Sequence, residues 1–157
     1  MLEASGHRSG HYPRRRVIRD ADLIELPGVG AFRDAIGSLE KFDLIPLLQE
    51  QVKAGKFFMG VCLGMQLLFE QSFEGGTYKG LGFLPGDIVP FHTKLKVPHM
   101  AGTPWNFGRL TGSKRIFPKN LTLFRHSYHK APADTPDVIA TADYGEPVPA
   151  ICGLDNV

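Results

Sequence analysis

The sequence has little of what marks secreted, membrane-spanning or nucleic-acid-coating chains. Cysteine is nearly absent: Cys62 and Cys152 are the two in 157 residues. Two cannot form a disulfide framework, and a domain of this size can build a core without one. That usage suits a reducing compartment, and with no apolar signal region near Met1 the expected location is the cytoplasm. Long hydrophobic runs are missing too. The longest, around residues 44–48 and 56–61, fall far short of the roughly 20 residues a bilayer-spanning helix requires, so no membrane partner is expected. Charge of one sign is scarce: 18 Lys and Arg oppose 16 Asp and Glu. The excess is local, because Arg8, Arg14, Arg15, Arg16 and Arg19 face only Glu3 and Asp20 in the first twenty residues. Nucleic-acid binding would rest on that one arm without interleaved aromatics, so it too is excluded as an expectation. No C-x-x-C or H-x-x-x-H spacing is joined by further ligands, and neither a metal nor a cofactor is expected.

What is present is an ordinary globular composition, 43% apolar, 22% charged and 10% aromatic, which implies one packed domain. Residues 1–19 read as an irregular basic tail and 20–157 as the domain. Residues 23–26 are a short apolar run ended by Pro27 and Gly28, the pattern of a buried parallel strand. Phe32, Ile36 and Leu39 then recur at helical spacing. Asp43 is placed to cap a second helix carrying Leu44, Leu47, Leu48 and Val52, in whose first turn Pro46 is tolerable. Residues 56–61 form a second strand, apolar on both faces, running into Cys62 and a helix expected to continue through Glu70. After Ser72 the texture becomes rich in Gly and Pro, with short runs at 81–90, 94–98, 122–124 and 138–141 that suit an antiparallel or mixed extension. Together these predict an α/β fold, a three-layer α/β/α sandwich.

Gly60-Val61-Cys62-Leu63-Gly64 has the G-x-C-x-G form of a nucleophile elbow, where flanking glycines permit a sharp strand-to-helix turn. Such a turn exposes the sulfur beside unpaired N–H groups that can stabilise an oxyanion. The rival reading of a lone cysteine after an apolar strand is a buried structural thiol. Pro27-Gly28-Val29-Gly30 ends a neighbouring strand, and its amides could face Cys62. Among His92, His99, His126 and His129 no spacing marks a base, and a packed or surface role is the plainer reading of each.

The ordered set Leu26-Pro27-Gly28-Val29-Gly30-Ala31-Phe32, the string from Gly60 to Glu70, Gly80-Leu81-Gly82, Val97-Pro98-His99-Met100 with Trp105-Asn106, and His126-Ser127-Tyr128 resembles the glutamine amidotransferase subunits of imidazole glycerol phosphate synthase, a class I amidotransferase family. The resemblance covers about residues 20–157. It implies a class I glutamine amidotransferase-like fold with a flavodoxin-like core, and hydrolysis of glutamine through a Cys62 thioester without a cofactor. It implies an oxyanion hole from the backbone of Val29 and Leu63, and a pocket for the amino-acid end of glutamine from Gly28, Gly30, Gln66, Ser127 and Tyr128. The partner would be the cyclase subunit, which takes the ammonia and is faced by Pro98, His99, Met100, Trp105 and Asn106.

The chain also departs from the pattern. The family's H-P-E motif, which carries its catalytic His and Glu, does not occur, and the opening D-Y-G-x-G-N strand is replaced by Gly- and Arg-rich residues. Ala101-Gly102-Thr103-Pro104 stands where one glycine is usual, and Phe57 replaces a proline. The expectation is an incomplete domain, truncated at both ends and impaired in catalysis, whose alternative role is a partner-binding module without chemistry.

Overall fold

The structure, a computed structural model, describes residues 15–107 and 121–157, with the backbone alone for residues 101, 103, 105–107 and 121–125. It opens on a helix, α1 (Arg15–Asp20), where an irregular tail is expected from the sequence. The cause of the correction lies in later segments. Arg15 donates to Asp43 at 2.7 Å, and the Lys56 ammonium donates to the carbonyls of Ile18 and Arg19, filling acceptors that a helix end leaves open.

Strands β1 (Leu23–Gly28) and β2 (Phe57–Cys62) pair in parallel, in a register that runs from Leu23 opposite Phe57 to Gly28 opposite Cys62. Helices α2 (Phe32–Lys41) and α3 (Ile45–Lys53) form the crossover. Phe32, Ile36 and Leu39 of α2 and Leu47 and Leu48 of α3 are buried with Ile24 and Phe58. Asp43 makes no side-chain cap for α3. With φ +50° it ends α2 instead: its N–H bonds Glu40 and that of Leu44 bonds Leu39, the paired closure of a Schellman turn.

The two-sided burial expected of β2 is also corrected. Phe58 is buried under the helices, whereas Phe57, Met59 and Val61 are exposed on the other face beside Leu23 of β1.

Helix α4 (Leu63–Gln66) is a single turn and stops four residues before the expected end at Glu70. The carbonyls that would extend it are taken by a returning loop. Leu81 N–H bonds Leu67, Phe83 bonds Leu68, Gly82 bonds Phe69 and Gly80 bonds Glu70. A Cβ on Gly80 would lie 2.1 Å from the Phe69 oxygen, so that approach requires glycine.

The remainder is the mixed and antiparallel extension anticipated from residue 72 onward. One four-stranded sheet has the order β4 (Tyr78–Lys79), β3 (Gln71–Ser72), β5 (Asp87–Pro90), β8 (Tyr128–Ala131). The other runs β10 (Pro147–Cys152), β9 (Val138–Asp143), β6 (His99–Phe107), β7 (Leu121–His126) and is antiparallel throughout. The expected runs at 94–98 and 81–86 are not strands; β6 begins only at His99 and β5 at Asp87. Near Val157 the chain returns to β2: Phe58 N–H donates to the Asn156 carbonyl, and the Asn156 amide donates to Val52 and Lys56.

Candidate active site

Cys62 joins β2 to α4 at φ +58°, ψ −119°, a conformation that costs a non-glycine residue on the order of 1–3 kcal/mol, and its side chain is exposed. The glycines around it are sterically obligatory. A Cβ on Gly64 would stand 1.7 Å from the Leu26 oxygen, and one on Gly60 would stand 2.7 Å from backbone atoms of Gly64 and Met65. The thiol held away from solvent is instead the half-buried Cys152, which burial pushes up to about 12.

The second glycine turn meets the first. Gly28 is opposite Cys62 in the parallel register, and a Cβ there would lie 3.0 Å from Gly64 N and 3.1 Å from Leu63 Cβ. Val29 follows on the open loop, 91% exposed, and Gly30 sits at φ +100°. Leu63 opens α4, whose first N–H groups have no acceptor within the helix. One turn carries little macrodipole, so what this corner offers a developing anion is individual N–H groups from two converging turns.

Gln66 is buried at the end of α4, and its Nε2 donates to the Tyr128 carbonyl at 3.1 Å. Ser127 lies at the bend before Tyr128, and its carbonyl accepts from Phe91 N–H at 3.3 Å. Gln66 and the Ser127-Tyr128 segment are thus brought together across 62 residues of chain.

A residue passed over in the sequence also reaches this region. Glu74 accepts from the N–H of Phe32 at 2.9 Å and so clamps the first turn of α2 directly behind the Gly28–Ala31 loop. A bond across 42 residues leaves no local signal; only the short Ser72-x-Glu74 turn, with Glu74 N–H on Ser72 Oγ at 3.2 Å, was there to be read.

The segment expected to face a partner is divided. Pro98 and Met100 are exposed, but His99 is fully buried, a correction that follows from strand alternation. Its ring stacks on Tyr144 at 3.7 Å and meets Phe91 edge-on. Phe91 also packs on His129, whose Nε2 lies 3.6 Å from a Glu146 carboxylate oxygen. Burial lowers the His99, His126 and His129 imidazoles below the ordinary range. Rings held in this cluster are poor candidates for a base at Cys62. Trp105 and Asn106 pair with Ala142 and Thr141 through β6; their side chains lie outside the described residues. Among the described residues no group of three or more His, Cys, Asp or Glu could hold a metal ion.

No protein-family model matches the chain. It is 40% identical over 146 residues to the imidazole glycerol phosphate synthase subunit HisH of Aquifex aeolicus (strain VF5), covering 90% of this chain and 69% of that protein. The chain belongs to the HisH family. The HisH subunit of Lactococcus lactis subsp. lactis (strain IL1403) is 43% identical over 142 residues, 89% of this chain and 70% of its own. Among solved structures, the HisH fold seen here is similar to that of a glutamine amidotransferase, with a TM-score of 0.69 at 12% identity over 89% of this chain and 70% of that one. The architecture is therefore the α/β fold of class I glutamine amidotransferases, as the ordered motifs of the sequence imply.

Proposed function

We propose that this HisH chain is a glutamine amidotransferase subunit of histidine biosynthesis that hydrolyses glutamine to glutamate and ammonia through Cys62. The observation that carries the reading is the strained Cys62 corner packed against the Gly28 turn. The sulfur attacks the side-chain amide carbon, and the carbonyl oxygen becomes an oxyanion held by the N–H groups of Val29 and Leu63. Collapse expels ammonia, which leaves with a proton, and forms a γ-glutamyl thioester; water then attacks that ester and frees glutamate and the thiol. Gln66, with Gly28, Gly30, Ser127 and Tyr128, fits the amino-acid end of glutamine. The ammonia passes to a cyclase subunit in a cytoplasmic heterodimer whose other half performs the lyase chemistry, with Pro98, Met100, Trp105 and Asn106 at the contact.

Proton transfer is the step for which the described residues supply least. The sequence contains no His-Pro-Glu, and general acid–base help is typically worth about 10² to 10⁴-fold. A second reading of the same fold is a partner-binding module without chemistry. Glutamate release with the cyclase partner present separates the two, comparing this chain, its Cys62→Ala variant and a version extended through a relative's His-Pro-Glu. The extended protein is expected to release glutamate only with Cys62 intact. Release that survives Cys62→Ala, or no release from the extended protein, contradicts the nucleophile.

A further inference from the structure

Lys130 and Asp137 form an ion pair that the proposed reaction does not use, and they are 0% and 2% exposed. The ammonium donates to the Pro132 carbonyl at 2.7 Å, to Asp137 Oδ1 at 3.3 Å and to Thr135 Oγ1. All three acceptors lie in residues 132–137, the segment that leaves β8. The Asp137 carbonyl in turn accepts from Gly153 N–H at 2.8 Å, fastening the end of β10. On the other side, a Cβ on Gly86 would lie 2.8 Å from Lys130 Cε, so Gly86 leaves room for the lysine stem. Gly86 also exchanges hydrogen bonds with Glu70, four residues beyond Gln66.

Lys130 thus anchors the C-terminal end of a four-residue strand that begins at Tyr128, whose carbonyl is the acceptor for Gln66. Tyr128 and Lys130 are two residues apart and share one face of β8. A buried pair of charges is a costly way to fill space, since apolar residues of similar volume often do so without loss of stability. What the pair adds is a single geometry.

We propose that Lys130 is a positioning residue: held by Asp137, Thr135 and Pro132, it sets the Tyr128 carbonyl and through it the Gln66 amide, and so tunes affinity for glutamine. This rests on the glutaminase reading above. The test is labelling of Cys62 by a diazoketone analogue of glutamine, with glutamine as protectant, beside alkylation of the same thiol by iodoacetamide. Lys130→Met strands Asp137 and risks unfolding, so Lys130→Met/Asp137→Leu is measured with it, and Lys130→Arg as the conservative variant. In the folded double variant, glutamine protection should weaken about tenfold, equivalent to roughly 1.4 kcal/mol of binding, with iodoacetamide alkylation unchanged. Lys130→Arg should recover part of the loss. Unchanged protection in the folded double variant overturns the assignment, and so does slowing of both reagents together, which is what general loosening would give. If glutamine fails to protect Cys62 even in the unaltered protein, the glutaminase reading fails instead, and the inference with it.

Discussion

At the Cys62 corner the chain turns because side-chain atoms are missing, whereas around His99 it is held by rings and charges that arrive from distant segments. The corner is settled by excluded volume at the paired ends of β1 and β2: Gly60 leaves no room for a Cβ against Gly64 and Met65, Gly64 leaves none against Leu26, and Gly28 closes on Leu63. The His99 cluster joins β6, the Phe91 segment after β5, β8 and the Tyr144 turn between β9 and β10. One region should break all at once. The other should loosen gradually and respond to protons.

The largest expected effect tests the first half of that contrast. Gly64→Ala places a carbon on the Leu26 carbonyl and is expected to cost more than about 4 kcal/mol or abolish folding, read by urea unfolding. A small cost would mean that the two strand ends can part. A smaller effect of opposite sign is expected at the residue between the glycines. Cys62→Gly relieves a strained conformation and should raise stability by roughly 1 kcal/mol while removing the thiol, seen as a higher thermal midpoint with no glutamate release. A lower midpoint would show that the corner is not strained.

The smallest effect belongs to the other region. Burial lowers the His99, His126 and His129 imidazoles, so the folded state favours their neutral forms. Their contribution is complete above the unfolded histidine value of about 6.5 and is lost as pH falls through the lower folded values. Thermal midpoints should therefore fall on acidification from neutral pH toward 5, with a weaker dependence in His129→Phe. The same slope in wild type and variant would place the proton sensitivity outside His129.

The corner was legible in the sequence because the glycines it requires are spelled out in two short motifs. Gly-x-Cys-x-Gly names the glycines that sterics demand, and Pro27-Gly28 marks the strand end that meets them. The helices α2 and α3 were legible for a similar reason, in the spacing of Phe32, Ile36 and Leu39 and of Leu47 and Leu48. What could not be read was set by partners far along the chain. Asp43 looks like an N-cap until Arg15 and the closure of α2 claim it. Residues 67–70 carry a helical pattern that the loop at 80–83 overrides by taking their carbonyls. His99 sits in a motif read as surface, but the pleat of β6 turns it inward and leaves Met100 outside. Glu74 showed only its short turn with Ser72, because the N–H it accepts from is 42 residues away on α2, and Lys130 looked like any charged strand residue because its burial depends on how residues 132–137 fold back over it.

The most direct measurement is peptide mapping after reaction of the protein, with its cyclase partner present, with the diazoketone analogue of glutamine. The expected result is one adduct, on the peptide carrying Cys62, suppressed by glutamine and absent from the half-buried thiol of Cys152. An adduct on Cys152, or labelling of Cys62 that glutamine does not suppress, would contradict the assignment of the Cys62 corner as a glutamine site.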